Sequence, residues 1–193
     1  MLEGELVISG EEYQYLGKNI NIRNIIDYKN FNLKKYGNAK IYYDNNTEVE
    51  LDTNLKSLNI KQKKLGARIY IIGVFLKDLK IEFQGFQNKL TEGQPSNYPI
   101  DINGLTGCLS LINLEVENIS IKANQSTCED AINLVNVRGT VNTISIEDSF
   151  QDGLDIDFSN ISVENINIKN SYNDCLDLSS GNYKLKNLFL SNC

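Results

Sequence analysis

The stretch that decides the fold is CEDAINLVNVRGTVNTISIEDS (128–149), FQDGLDIDFSNISVENINIKNS (150–171) and YNDCLDLSSGNYKLKNLFLSNC (172–193), three successive copies of a 22-residue unit with no gap. Asp130, Asp152 and Asp174 fall in one column. So do Ile132, Leu154 and Leu176, then Leu134, Ile156 and Leu178, and further on Ile144, Ile166 and Leu188. A fixed period of this length marks stacked, equivalent coils. Within each copy the apolar residues alternate with polar ones in short runs, which is strand periodicity, and no run is long enough for a helix. Stacking such coils in register places each strand parallel to its own copy, about 4.8 Å away, with the apolar residues pointing into a shared interior. The sequence therefore predicts an all-β fold: a single-stranded, right-handed parallel β-helix (solenoid) of about six to seven rungs, preceded by an irregular N-terminal cap.

Working outward, the same pattern starts at NLKSLNI, with Leu55, Leu58 and Ile60 assigned inward, and returns at FLKDLKI with Leu76, Leu79 and Ile81. It continues through Val116, Ile119 and Ile121 to Leu185, Leu188 and Leu190. A corner column, Ser57, Asp78, Asn118, Thr143, Asn165 and Asn187, consists of short polar residues that stabilise turns, and is assigned a structural ladder. Residues 1–40 lack the repeat and are read as the cap that an open first rung requires. Residues 41–193 are read as the β-helix. A long loop at 84–107 carries both prolines, Pro95 and Pro99, and is expected to leave the stack beside the Asp-rich strands.

Composition excludes several functions. The formal charge is -6, from 25 acidic and 19 basic residues, and the lysines are scattered, so a nucleic-acid partner is not expected. The longest apolar run, Ile69–Leu76, is too short to span a bilayer, and the N-terminus has acids where a signal peptide needs bases. The chain is expected in the cytoplasm, or at the cell surface as part of a larger protein. There is no histidine, which removes Ser-His-Asp and Cys-His catalysis and any His-ligated metal. The four cysteines, 108, 128, 175 and 193, have no zinc-like spacing. Cys108 can meet Cys128 only if the less regular rung between them brings them together; otherwise all four are expected to be free, mostly buried thiols, in keeping with a reducing compartment.

In DAINL, DGLDID and DCLDLS the residue between the two inward apolar positions should face solvent: Asn133, Asp155 and Asp177, with Ser110 one rung earlier. Asp157 should point the same way as Asp155. Like charges this close repel, so something must offset them. Three readings stay open. The cluster Asp155, Asp157 and Asp177 is a calcium site built of hard oxygen ligands; it is a glycosidase-like acid pair; or it is a solvated acidic surface. Asp130, Asp152 and Asp174 are placed to cap backbone N–H groups, with Asp152 and Asp174 also candidate substrate contacts. Tyr172, in a column with Phe150, is a candidate sugar-stacking platform or a corner filler. The column Cys108, Ala131, Gly153 and Cys175 is all small and is read as an outward strip that admits a flat ligand.

These residues carry a resemblance. The runs STCEDAINLVN, SFQDGLDIDFSN and NSYNDCLDLSSGN resemble a group of bacterial right-handed parallel β-helix repeat proteins in the pectin-lyase-like superfamily, through Cys128, Glu129, Asp130, Ala131 and Asn133, then Asp152, Asp155, Asp157 and Phe158, then Asn173, Asp174, Asp177, Ser179 and Gly181. The resemblance implies a right-handed helix and a link to cell-surface polysaccharide. If the chain is catalytic, it implies a polysaccharide lyase or glycoside hydrolase-like activity. Pectinase chemistry does not transfer. The hydrolase branch needs a Gly-His-Gly motif, and for the lyase base only Arg138 and Lys169 are candidates. Members of the group usually continue past the last of these coils, so the chain is expected to be a fragment or to have its last rung covered. The leading expectation is a carbohydrate-binding or carbohydrate-processing module; the alternative is a structural module with a protein partner, or self-association, at the C-terminal rung.

Overall fold

In a computed structural model, described for the strands of residues 6–9, 12–15 and 18–21 and for residues 30–86 and 105–193, the chain is all β and divides into two compact units, Met1–Asn30 and Phe31–Cys193. The first unit contains three antiparallel strands, β1 (Leu6–Ser9), β2 (Glu12–Tyr15) and β3 (Lys18–Asn21), in sequential order. The second is a parallel β-solenoid of about five turns. Most of the loop assigned to 84–107 lies outside the described residues.

Two sheets form the solenoid. The longer contains β6 (Thr47–Asp52), β7 (Ser57–Gln62), β10 (Lys80–Gln84), β12 (Glu115–Ser126), β14 (Arg138–Ser149), β16 (Asn160–Ser171) and β18 (Asn182–Ser191), stacked in that order, with β9 (Phe75–Lys77) alongside β12. The second contains β4 (Asn32–Tyr36), β5 (Ala39–Tyr43), β8 (Ile69–Ile72), β11 (Gly107–Ile112), β13 (Asp130–Val135), β15 (Asp152–Asp157) and β17 (Leu176–Leu178). From β7 and β8 onward every neighbour is parallel, and the register reproduces the columns of the sequence: Ile132 opposite Leu154 opposite Leu176, and Ile144 opposite Ile166 opposite Leu188. At the start of the stack the pairing is antiparallel, β6 on β7 and the β4–β5 hairpin on β8. Residues 31–43, read from the sequence largely as cap, thus supply edge strands of the solenoid unit.

The interior is a set of stacked aliphatic columns. Leu58, Ile81, Ile121, Ile144 and Ile166 are buried one above another, each contributing about 1.5–3 kcal/mol of burial. Leu55, assigned inward from the pattern, is instead exposed, because it precedes β7 in a turn. On the last turn Leu188 is 43% exposed where Ile166, its neighbour in the column, is buried.

Corners are made by residues with left-handed backbone. Asp78 and Asn118 mark one corner, Gln125, Asp148, Asn170 and Asn192 a second, and Asn113, Asn136 and Phe158 a third, all with φ between 49° and 60°. Asn and Asp tolerate this conformation and can bond neighbouring backbone or amides. Their side chains form ladders along the axis: Asn118 Nδ2 donates to Asp78 Oδ1 at 2.6 Å, Asn187 to Asn165 at 3.0 Å, Asn170 to Asp148 at 2.9 Å, and Asn136 to Asn113 at 2.7 Å. The ladder read from the sequence is present with two changes. Lys56, not Ser57, reaches Asp78, its Nζ donating to Oδ2 at 2.9 Å. Asn142, not Thr143, occupies the bonding position and donates to Asn118.

The cysteines are not free. Disulfides join Cys108 to Cys128 and Cys175 to Cys193, each with Cα atoms 5.3 Å apart. Comparing cysteines column by column pairs residues several rungs apart. The bonds instead close segments of 20 and 18 residues, just short of one 22-residue turn, so the two ends lie on neighbouring rungs. The pointer to a reducing compartment falls with the free thiols. The small-residue column is corrected too: Cys108, Ala131 and Cys175 belong to the core, and a Cβ on Gly153 would meet the Cys175 carbonyl oxygen at 2.7 Å. These residues are small because they pack in the interior, where a larger side chain has no room.

Candidate functional site

On the second sheet the outward residues form a column Tyr70, Ser110, Asn133, Asp155, Asp177, fixed by the parallel register of β8, β11, β13, β15 and β17. Its exposure changes along the stack. Tyr70 and Ser110 are fully buried, Asn133 is 1% exposed, Asp155 is half-buried and Asp177 is exposed. The expectation that Ser110 and Asn133 face solvent is therefore wrong; alternation along a strand tells which side of the sheet a residue takes, not whether that side is covered. At Tyr70 part of the cover is the ring of Phe31, with centroids 5.3 Å apart.

Asn133 organises the acids. Its Nδ2 donates to Asp155 Oδ2 at 2.9 Å and to Asp157 Oδ2 at 3.2 Å, so the two carboxyls converge on one amide. Burial pushes the Asp155 carboxyl up to about 8, helped by the charge of Asp157, then by Asp130, by a hydrogen bond to Asp157 and by Asp177. The repulsion inferred from the sequence is thus offset by a proton and an amide donor. Among the described residues no group of three or more Cys, Asp or Glu side chains is arranged to hold a metal ion.

Asp130 belongs to the same cluster, a role the sequence reading missed in favour of turn capping. It is 3% exposed, and burial is the main cause that lifts its carboxyl to about 7; a hydrogen bond with Thr106 opposes this, and the charges of Asp152, Glu129 and Asp157 add to it. Among the described residues its Oδ2 has no hydrogen-bond partner, and neither does the buried Ser110 Oγ. Glu129 is also raised, by burial first and then by Asp152, against the pull of Arg68. Arg68 is buried and donates through Nη1 to the carbonyl oxygens of Thr106 and of Gly107, the latter at 2.8 Å. The only sequence signal for Arg68 is a charged residue opening an apolar run, which also describes an ordinary edge residue.

The remaining predicted residues divide. Asp152 is a capping residue: its Oδ1 accepts from the Asp174 backbone N–H at 2.9 Å and from Asn173 Nδ2 at 2.8 Å. Asp174 is exposed, with Asn173 Nδ2 3.4 Å from its Oδ2. Tyr172 is 63% exposed rather than filling a corner, while Phe150 is half-buried. Arg138 and Lys169 lie on the other sheet, Lys169 paired with Glu147 at 3.7 Å.

The structure defines the chain as a parallel β-solenoid that carries a cluster of carboxyls on its second sheet, two of them lifted by burial to about 7 and about 8. Compared with models of protein families, with curated proteins and with solved structures, the chain finds no match.

Proposed function

We propose that the chain is a carbohydrate-binding or carbohydrate-processing β-solenoid, related in plan to the right-handed β-helix repeat proteins of the pectin-lyase-like superfamily and directed at polysaccharide. The observation that carries this reading is the convergence of Asp155 and Asp157 on Asn133, beside the exposed Asp177 one rung on. A carboxyl that keeps its proton near pH 7 can donate it to a glycosidic oxygen, and a second carboxylate on a neighbouring rung, its strand about 4.8 Å away, can flank the scissile bond and attack the anomeric carbon from the side opposite the leaving group. In this scheme Asp155 is the acid, Asp157 shares its proton, Asp177 is the partner carboxylate, and Asp174 and Tyr172 line the exposed approach.

The test is binding and cleavage across a broad oligosaccharide panel, comparing the native chain with Asp155→Asn and Asp177→Asn. Cleavage lost in both variants with binding retained supports the catalytic form, and binding weakened in both supports the binding form. No binding and no cleavage by the native chain across the panel sinks both. A second reading, a non-catalytic module that associates with a second copy of itself, is favoured by the exposure of Leu178, Leu188, Phe189 and Leu190 on the terminal strands β17 and β18. A sedimentation profile that stays monomeric at every concentration removes it.

A further inference from the structure

On the other sheet, away from the carboxyl cluster, the outward residues of β6, β7, β10 and β12 line two adjoining hollows of about 330 and 670 Å³ that share Glu48, Lys61, Gln84 and Asn124. The register makes their walls two columns along the solenoid axis. One runs Glu48, Lys61, Gln84, Asn124; the other runs Glu50, Asn59, Glu82, Lys122. The columns are separated by two residues along each strand, about 7 Å, and successive members by one rung, about 4.8 Å. The result is a straight track with a polar group on each side at every rung.

We infer that this track is a second carbohydrate site, which binds an uncharged oligosaccharide lengthwise along the axis. Three observations point to that chemistry. First, the lining charges cancel: Glu48, Glu50 and Glu82 stand against Lys61, Lys63 and Lys122, so neither an anionic nor a cationic polymer is favoured. Second, the remaining polar groups are side-chain amides, which both donate and accept, as vicinal hydroxyls require; Gln84 and Asn124 line both hollows and Asn59 the smaller one. Third, the half-buried Phe86 at one end of the larger hollow offers an apolar surface for the face of a pyranose ring. The rung spacing is close to the length of one sugar residue in an extended chain, so consecutive residues can meet equivalent side chains. A peptide strand is a poorer fit. β7, β10 and β12 are already paired on both edges, so the ligand must be held by side chains alone, without the backbone bonds on which strand addition depends.

This inference does not rest on the carboxyl site. Its test is titration of the full chain with cellohexaose and chitohexaose, with a galacturonic acid hexamer as the charged comparison, read by the side-chain amide NMR signals of Asn59, Gln84 and Asn124. The expected result is a shift of these signals with a neutral hexasaccharide. Affinity should fall about tenfold, the worth of two ordinary hydrogen bonds, in Gln84→Ala with Asn124→Ala, and again in the exposed pair Asn59→Ala with Lys61→Ala. In Asp155→Asn the shifts of these three track amides with a neutral hexasaccharide should be unchanged, whatever happens at the carboxyl site. The inference is overturned if no neutral hexasaccharide moves these amides up to its solubility limit, if only the charged hexamer does, or if affinity follows Asp155→Asn and ignores both track pairs.

Discussion

Replacing Asp155 by Asn tests the carboxyl cluster through stability, independently of any ligand. In the unfolded chain Asp155 and Asp130 ionise near 3.8; in the folded chain they hold their protons up to about 8 and about 7. Because the folded state keeps the proton to higher pH, the stabilisation is complete below the unfolded value and is lost as pH rises through about 7 and then about 8. Each pH unit in this window is worth up to about 1.4 kcal/mol per proton held. From pH 5 to pH 8 that gives a ceiling of about 4 kcal/mol for Asp155. Water reaches this half-buried side chain and relaxation spreads the charge, so about 2 kcal/mol is the working figure. Asp130, more deeply buried, adds a share of similar size. The native chain should therefore lose about 2–4 kcal/mol between pH 5 and pH 8, read as urea midpoints or as a fall in Tm of roughly 5–12 °C. Asparagine in place of Asp155 keeps an oxygen for Asn133 and cannot ionise, so its curve should fall about half as far and cross above the native one near pH 8. Parallel curves for the two proteins from pH 5 to pH 9 would refute the account of a proton held between Asp155 and Asp157.

Other perturbations test the frame around the site. Replacing Cys108 and Cys128 together by Ala should cost about 3 kcal/mol, the chain-entropy value for a 20-residue loop; alkylation of four thiols in the unreduced, unfolded protein would show that neither bond forms. Gly139→Ala should be severely destabilised, by about 3 kcal/mol or more, because φ is 112° and a Cβ would be driven against the Val116 carbonyl oxygen; an unchanged Tm would contradict this corner. Asn118→Ala should lose about 1–2 kcal/mol from the broken ladder and from left-handed backbone, with Asn118→Gly recovering part of it; equal losses in the two would mean that φ plays no part.

Stacking is legible in the chain before any coordinates. A 22-residue period with alternating apolar residues leaves parallel rungs as the arrangement that buries every column, and the register Ile132, Leu154, Leu176 follows from counting. The side of the sheet taken by Asn133, Asp155, Asp157 and Asp177 was legible for the same reason, since alternation is a local property of a strand. Only the tertiary structure decided what covers that side. Burial of Ser110 and Asn133, and the burial that lifts Asp130 and Asp155, are properties of the assembled stack that no single strand's alternation contains. The disulfides belong to the same class: a cysteine column shows which residues share a position in the turn, but Cys108 meets Cys128 because a segment slightly shorter than a turn returns to the adjoining rung. Whether two side chains touch is set by the path of the corners, and those bends, with φ near 50° at Asn113, Asn136 and Phe158, are fixed by the packing of the whole stack rather than by any one of these residues.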